Sequence, residues 1–424
     1  MILLKLDYGF LNKKTWSGPM VTKAYASQSA RWRQGGRRAA ALLAMTFLAA
    51  GTAANAQAAS PAAIFSVDYS LDAVGVVDGG LARRGDYADM LFAAVDVDLE
   101  QAFGWRGGSA HLEALSTSGG APGEDVGALQ GVTNAEVSAR RTRIYQAYVE
   151  QALAADRVNL RLGFSDLSGE FAAVDSAGVL LNPSFGMAPE FAATGAAAYP
   201  STALGARLRV NPSLNTYAQV AAANARAGVP GDDGGADLSF DDGAFLIAEA
   251  GWTGRGKVAA GYWRLTRRQD DLVALDSAGD PARRVAQGGY LLVDQPLTPD
   301  DAAHGLSAFL RAGVSEGRTT PFRASWQAGV LAQPLFPSRP DSSLSVAVAQ
   351  ARTSAALREA AVGAGAPLGR EETVFELAYS DQVTPWLRVQ PDVQYVRRPG
   401  ADRAVDDALV LALRFNVGFT SPRP

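Results

Sequence analysis

The sequence predicts an all-β fold, specifically a transmembrane antiparallel β-barrel, and three observations support this. The first observation is that apolar residues occupy every second position near the end of the chain: Leu409, Leu411, Leu413, Phe415, Val417 and Phe419. A period of two indicates a strand. The small or polar residues between them are typical of a face that meets a wet lumen rather than a dry core. The other two observations are a secretion signal and a length that suits many strands.

The first part of the chain is predicted to be a signal peptide with an N-terminal extension, residues 1–56. A basic stretch, an uncharged apolar run over 39–50 and the cleavage signal Ala54-Asn55-Ala56 follow one another. This order predicts a mature start near Gln57. The apolar run is shorter than the ~20 residues that a membrane-spanning helix needs. Initiation at Met1 or at Met20 is left open. We therefore predict one outer-membrane barrel domain over 57–424.

The composition of the mature chain excludes several classes of protein. The whole chain has 39 basic and 43 acidic residues. Removing residues 1–56 takes away eight basic residues and one acidic residue, so the mature chain has a net charge of −11. An acidic chain disfavours nucleic acid as a partner. With no cysteine and two histidines, we predict no disulfide, no catalytic thiol, no metal site and no cofactor. Strands of about 10 residues with their turns would give about 16 strands.

Further segments show the same alternation and are predicted strands. In chain order they are 158–165, 204–210, 306–314, 375–380 and 387–395. A soluble sandwich alternates too, but the signal peptide and the terminal strand favour a barrel. Pro391 lacks the N–H that a ladder needs, so we expect a bulge or a local break there.

Aromatic residues in or near the predicted strand ends are expected to form girdles at the two membrane interfaces, with ordinary packing as the alternative for each. They are Tyr148, Tyr217, Trp252, Tyr262, Trp263, Tyr290, Trp386 and Tyr395. Stretches rich in Gly, Ala, Asp and Pro are predicted loops: 119–140, 166–200, 228–242, 266–287 and 354–370. We expect some of these loops to project outward and one to fold inward.

Several segments, taken in order, resemble the carbohydrate-selective porin family of Gram-negative outer membranes. They are 144–151 (IYQAYVEQ), 158–171 (VNLRLGFSDLSGEF), 180–186 (LLNPSFG), 199–208 (YPSTALGARL), 245–252 (FLIAEAGW), 288–297 (GGYLLVDQPL), 305–314 (GLSAFLRAGV), 386–400 (WLRVQPDVQYVRRPG) and 407–415 (DALVLALRF). The resemblance implies an integral outer-membrane barrel of about 16 strands. An inward-folded constriction loop would narrow its lumen, and the candidate is the stretch from Glu170-Phe171 to Tyr199-Pro200.

The resemblance also implies a function. Sugars and other small polar solutes would diffuse passively through the lumen, with no catalysis and no energy coupling. The expected surroundings are outer-membrane lipid and lipopolysaccharide. Monomer and homotrimer are both open.

Charged residues on the predicted inward faces are the candidate lumen residues: Arg161, Arg207, Arg209, Arg264, Arg311, Arg388, Arg414, Glu249, Glu376 and Asp392. Glu170, at the start of the candidate constriction loop, completes the set. Opposed rows of arginine and acid would create a transverse field that favours polar solutes. The alternative for each charge is that it pairs with another and only hydrates the wall. Trp263 or Phe309 would offer a flat face to a pyranose ring, although Trp263 more naturally faces lipid.

Other functions are open to such a barrel: a general or anion-selective porin, a non-conducting structural or adhesive surface barrel, and a hydrolase. A hydrolase is disfavoured because no serine stands out as a nucleophile beside either histidine. His111 and Glu113 lie two positions apart and are predicted to be a polar pair in the lumen. We therefore predict a protein that is not an enzyme.

Overall fold

The structure is a computed structural model, and it describes residues 61–421 except 138, 196 and 300–303. The predicted signal peptide, residues 1–56, lies outside the described residues. The strands of the described chain are β1 (Ala63–Asp78), β2 (Gly85–Asp98), β3 (Gly108–Gly119), β4 (Arg141–Leu153), β5 (Val158–Ser165), β6 (Ala203–Ser213), β7 (Thr216–Asn224), β8 (Ala244–Thr253), β9 (Lys257–Leu265), β10 (Gln269–Leu275), β11 (Pro281–Arg284), β12 (Gln287–Pro296), β13 (Leu306–Ser315), β14 (Phe322–Ala332), β15 (Ser343–Thr353), β16 (Glu371–Thr384), β17 (Leu387–Arg397) and β18 (Ala408–Ser421).

Sixteen of the strands in this described part form one closed antiparallel barrel. Neighbours in sequence pair with one another, β9 pairs with β12, and β1 pairs with β18 to close the ring. The strands β10 and β11 form a separate hairpin between β9 and β12. The prediction of an antiparallel barrel of about 16 strands is confirmed.

The alternation in β18 explains why this segment forms a membrane strand. Leu411 is 45% exposed on the outer face, whereas Val410 and Ala412 beside it are buried. The other predicted strands also expose large apolar side chains on one face, namely Leu162, Leu208, Leu310, Phe375 and Val393. A continuous apolar outer band of this kind is stable only against lipid.

The connections differ in length at the two ends of the barrel. Residues 214–215 join β6 to β7 and residues 385–386 join β16 to β17, whereas 120–140 join β3 to β4 and 166–202 join β5 to β6. Short turns are periplasmic and long loops extracellular in outer-membrane barrels. The start of β1 and the end of β18 therefore lie at the periplasmic end.

Short helices occupy some of the connections: α1 (Leu99–Phe103), α2 (Pro122–Val126), α3 (Pro183–Gly186), α4 (Pro189–Ala192), α5 (Ala355–Gly363), and the 3₁₀ helices Asp175–Ala177 and Pro399–Ala401. In the residues that the structure describes, no helix has the length and apolar character to cross a membrane.

The alternation phase of β9 differs from the prediction. Trp263 is 1% exposed and stacks on Phe245 inside the barrel, with 6.1 Å between ring centroids. Arg264 is exposed on the outer face, the same face as Tyr262. The predictions that Arg264 faces inward and that Trp263 faces lipid were wrong. The reason is an apolar cluster inside the lumen, which includes Phe191 from a loop and gives Trp263 a dry contact there.

The predicted aromatic girdle is correct for only part of its members. Exposed on the outer face are Trp252, Tyr262, Trp386 and Tyr395. The others, Tyr148, Tyr217, Trp263 and Tyr290, lie at inward positions of the register. The inward positions of Tyr217 and Tyr290 have a clear cause, because both hydroxyls donate to the buried carboxylate of Glu249, at 2.6 and 2.8 Å.

Pairing between β16 and β17 is interrupted opposite Pro391, as predicted. The pairs run to Ala378 with Asp392 and resume at Asp381 with Val389. The residue count on the two strands stays equal across the gap. The missing N–H therefore produces a local break rather than a bulge.

Candidate functional site

Residues 166–202, hereafter the inner loop, contact side chains that face into the barrel. Arg311 on β13 is fully buried and donates to four carbonyls of this loop: Ala172 at 2.9 Å, Ser184 at 2.5 Å, Phe185 at 3.1 Å and Gly186 at 3.1 Å. Its Nε donates to Gln327 on β14 at 2.8 Å. A guanidinium carries five N–H donors in one plane. One wall side chain can therefore hold two separate stretches of the loop.

Carboxylates on other strands accept N–H groups of the inner loop. The pairs are Glu249 with Ala172 at 2.8 Å, Asp294 with Ser176 at 3.0 Å, and Glu376 with Asn182 at 3.1 Å. Buried backbone N–H groups need acceptors, and these carboxyl oxygens supply them. These acids let a polar backbone run through the inside of the barrel.

Asp166 begins the inner loop and is tied to β4. Tyr145 donates to one of its carboxyl oxygens at 2.6 Å, and the N–H of Ser168 donates to the other at 2.7 Å. Burial raises the pKa of Asp166 despite these hydrogen bonds. Burial also raises the pKa of Glu190 in α4.

A second connection, residues 120–140, also contacts the inner wall and is hereafter the second inner loop. Glu372 on β16 accepts from the N–H groups of Leu129 at 2.8 Å and Gln130 at 2.9 Å. The N–H of Asn134 donates to the carbonyl of Leu181 at 2.8 Å, which joins the two loops. The sequence predicts one inward segment and misses this second one.

The two loops cover much of the inner wall, and what they leave uncovered defines the open part of the lumen. Most inward residues from β7 to β17 are buried, for example Gln219, Ile247, Leu292, Gln327, Ala349 and Gln394. On β1 and β2, Asp68 and Asp96 also lie at inward positions, but they are exposed. Inward residues nearer the extracellular ends of β1 to β3, such as Asp72, Val74 and Leu115, are buried as well. Solvent therefore reaches the inner wall of β1 to β6 in the periplasmic half of these strands.

Four charged side chains form a closed ring at this open wall, hereafter the charge ring. Arg161 on β5 lies 2.7 Å from Glu150 on β4 and also pairs with Glu170 of the inner loop. Arg207 on β6 lies 2.8 Å from Glu150 and 2.6 Å from Glu170. Two positive and two negative groups alternate, so the ring has no net charge. The side chains of Arg161, Glu150 and Glu170 remain 16–20% exposed.

An aromatic stack adjoins the charge ring. The ring of Tyr148 lies between His111, with 5.0 Å between centroids, and the guanidinium of Arg161, at 4.0 Å. His111 Nδ1 lies 2.6 Å from Asp96 Oδ1, and its Nε2 lies 3.8 Å from Glu113 Oε2. The structure therefore places His111 and Glu113 together on the lumen side, as predicted.

The structure places the predicted candidate residues in different surroundings. Arg161, Arg207 and Glu170 belong to the charge ring. Arg209 donates to Gln219 and Asn211, and Arg388 donates to Ser380 near the periplasmic end of β17. Arg264 is excluded from the lumen.

Beneath the two loops lie the other candidates: Arg311, Arg414, Glu249, Glu376 and Asp392. Arg414, for example, pairs with Asp72 at 2.6 Å and donates to Asn134 of the second inner loop at 2.5 Å. The contacts of these residues are made within the protein. Those of Arg311, Glu249 and Glu376 include loop backbone rather than only a second charge.

Sequence reasoning missed several inward acids. Glu150 lies in the same alternation phase as Gln146 and Tyr148, and that phase would have found it. The phase of β1 would likewise have found Asp68. Nothing in the sequence singles out Glu372, because its role depends on a loop that is distant in the chain.

Comparison with known proteins adds independent findings. The model of the family described as carbohydrate-selective porin, OprB family, matches residues 82–419. Porin B of Pseudomonas aeruginosa is 23% identical over 403 residues, which cover 84% of this chain and 87% of that protein.

Solved structures share the fold. The high-pH structure of Pseudomonas putida OprB has a TM-score of 0.77 at 22% identity, covering 84% of this chain and 94% of that one. The outer-membrane channel DcaP of Acinetobacter baumannii has a TM-score of 0.51 at 12% identity, covering 84% and 97% of the two chains.

Proposed function

Because this chain belongs to the carbohydrate-selective porin family, and is an integral outer-membrane porin for carbohydrates, we propose that solutes pass along the wall formed by β1 to β6. The inner loop and the second inner loop form the constriction in this proposal. The support is that inward side chains in the periplasmic half of this wall stay exposed or half-buried, for example Asp68, Asp96 and Glu150, whereas most of those on the rest of the barrel wall are buried.

The charge ring is the proposed contact point for a neutral sugar, and it is the observation that carries the proposal. A sugar is covered in hydroxyl groups, each able to donate and accept hydrogen bonds. Guanidinium groups supply fixed donors, and carboxylates supply acceptors. A ring that alternates donors and acceptors can replace the water molecules that hydrogen-bond to a sugar. Because the ring has no net charge, binding stays weak enough for release.

Passage in this proposal is passive and involves no catalytic step. Each chain encloses its own lumen, since the described strands close on themselves, so passage needs no second copy. The apolar outer band contacts lipid. Arg264, at the extracellular end of β9 on that outer face, is placed to meet the anionic groups of lipopolysaccharide.

Recordings in a planar bilayer test the proposal. We expect the purified protein to conduct ions and added glucose to lower the current. Arg161→Gln and Glu170→Gln each remove a ring contact and should raise the half-blocking glucose concentration, on the order of threefold to tenfold. Arg264→Gln, on the outer face, should leave it unchanged.

Each other outcome points to a different function. A channel that conducts but ignores glucose would be a general or anion-selective porin. A correctly folded barrel without any conductance would be a structural or adhesive surface protein.

A further inference from the structure

We propose that the same open wall selects for positive charge, through Asp68, Asp96 and Glu113, and that cationic sugars such as protonated amino sugars are favoured over neutral ones. This inference rests on the proposed pathway along β1 to β6. Selectivity for positive charge is a property that the charge ring does not supply, because the ring has no net charge.

The register places these three carboxylates on one inner surface. Asp68 lies opposite Phe92 on β2, and Asp96 lies opposite His111 on β3. Glu113 lies one inward position further along β3 from His111. Opposite residues of paired strands point to the same face. Asp68 and Asp96 are exposed there, so they border the solvent of the lumen.

The three acids lack the ion pairs that neutralise other inward charges. Among the described residues, none of them lies within ion-pair distance of an arginine or a lysine. Glu113 accepts from the amide of Gln146 at 2.9 Å. His111 contacts two of the acids and contributes at most one positive charge against three negative ones.

Positive groups elsewhere in the lumen are paired with acids or lie outside the wall formed by β1 to β3. Arg161 and Arg207 are balanced within the charge ring by two glutamates. Arg414 is paired with Asp72. Arg209 lies over the ring of Tyr217, at 4.4 Å from its centroid, and Arg388 lies near the periplasmic end of β17. The wall formed by β1 to β3 therefore presents a net negative surface to the pathway.

Uncompensated carboxylates in a cleft with apolar walls concentrate cations, and rings of acids are how cation channels select charge. Phe92 adds an apolar surface beside Asp68, because it is half-buried at the inward position opposite it. A protonated amino sugar combines an ammonium group with a ring that has an apolar face. It therefore matches both features of this wall, whereas a neutral sugar matches only one.

Reversal potentials in a KCl gradient test the charge preference. We expect the wild-type channel to pass K⁺ more readily than Cl⁻, and Asp68→Asn with Glu113→Gln to reduce the permeability ratio severalfold. Asp96→Asn alone should reduce it less and serves as a second variant if the double variant folds poorly. Asp89→Asn is the matched control, because Asp89 lies on β2 but on the outer face. Equal permeabilities in the wild type, or a ratio unchanged in the variants, would overturn the inference.

Sugar block tests the solute class. Protonated glucosamine should block wild-type current at a severalfold lower concentration than N-acetylglucosamine, which lacks the charge, and the double variant should lose this difference. Equal block by the two sugars would overturn the inference while leaving the proposed sugar pathway intact. A channel blind to every sugar would overturn both.

Discussion

The side chain of Arg311 donates hydrogen bonds to loop carbonyls. In the barrel strands, such carbonyls accept from the N–H groups of a neighbouring strand. The carbonyls that Arg311 binds belong to irregular backbone inside the lumen, where buried polar groups need partners. Its alternation phase predicts an inward arginine, and that prediction is confirmed. The sequence could not show that the partner would be backbone rather than solute, because the inner loop is more than a hundred positions away.

Replacing Arg311 with methionine should destabilise the protein on the order of 3 kcal/mol or more, because buried carbonyls lose their donors. We also expect noisier single-channel current, since the inner loop is less firmly held. Arg311→Lys keeps the charge but loses the planar fork, so it should be intermediate. Urea unfolding in lipid vesicles and bilayer recording measure the two effects. Arg264→Met is the control, and an Arg311→Met variant that behaves like it would contradict this account.

The packing of the second inner loop depends on individual buried side chains. Glu136 in this loop accepts from the N–H of Gly123 at 2.9 Å. Burial, together with the smaller effect of the nearby acids Glu124, Asp125 and Asp86, raises the pKa of Glu136 to about 7, although the hydrogen bond from Gly123 opposes the shift. The packed loop therefore favours the neutral carboxyl.

The packing of the second inner loop should depend on pH through Glu136. The carboxyl of the opened loop titrates near its ordinary value of 4.5. The stabilisation from the neutral form is thus fully present below about pH 4.5 and is lost as the pH rises to about 7. The protection factors of amides in 120–140, which already account for the intrinsic rise of exchange with pH, should fall over this range. Glu136→Gln should remove that part of the pH dependence, and an unchanged profile in this variant would refute the assignment.

At the scale of the whole barrel, the main feature is that the sheet closes on itself. Pairing from Phe65 with Ser421 to Asp78 with Leu409 joins the first barrel strand to the last. A membrane strand with an unpaired edge would leave backbone groups unsatisfied in lipid. In the described strands, outward positions in the middle of the strand therefore meet hydrocarbon, and inward positions meet a loop, another wall side chain or water.

An introduced arginine should lower the free energy of unfolding more on the outer face of the barrel than on the inner face. Leu413→Arg, on the outer face in the middle of β18, should cost about 2–4 kcal/mol in lipid vesicles, because arginine near the bilayer centre is poorly solvated. Ser66→Arg, at an inward position of β1 near the periplasmic end, should cost much less. Equal losses in the two unfolding titrations would show that the assigned faces are incorrect.

Six of the sixteen barrel strands could be predicted from alternation, because each of them carries its own evidence. Leu162, Leu310 and Leu413 are outward for a reason that lies in their immediate neighbours in sequence, the period of two. Trp263 was misplaced because it packs in an apolar cluster with Phe245 and Phe191, and Phe191 lies far from it in the chain. Aromatic residues suit both the membrane interface and a packed lumen, so residue type alone did not separate the two.

The sequence by itself determined the barrel, its approximate strand number, the outward face of the strands that alternate clearly and the family to which the chain is similar. These follow from alternation and local composition, which are short-range properties. Only the tertiary structure decided which inward charges stay open to solvent and which hold the two loops. That distinction depends on contacts such as Glu372 with Leu129, between residues that folding brings together and that no local pattern connects.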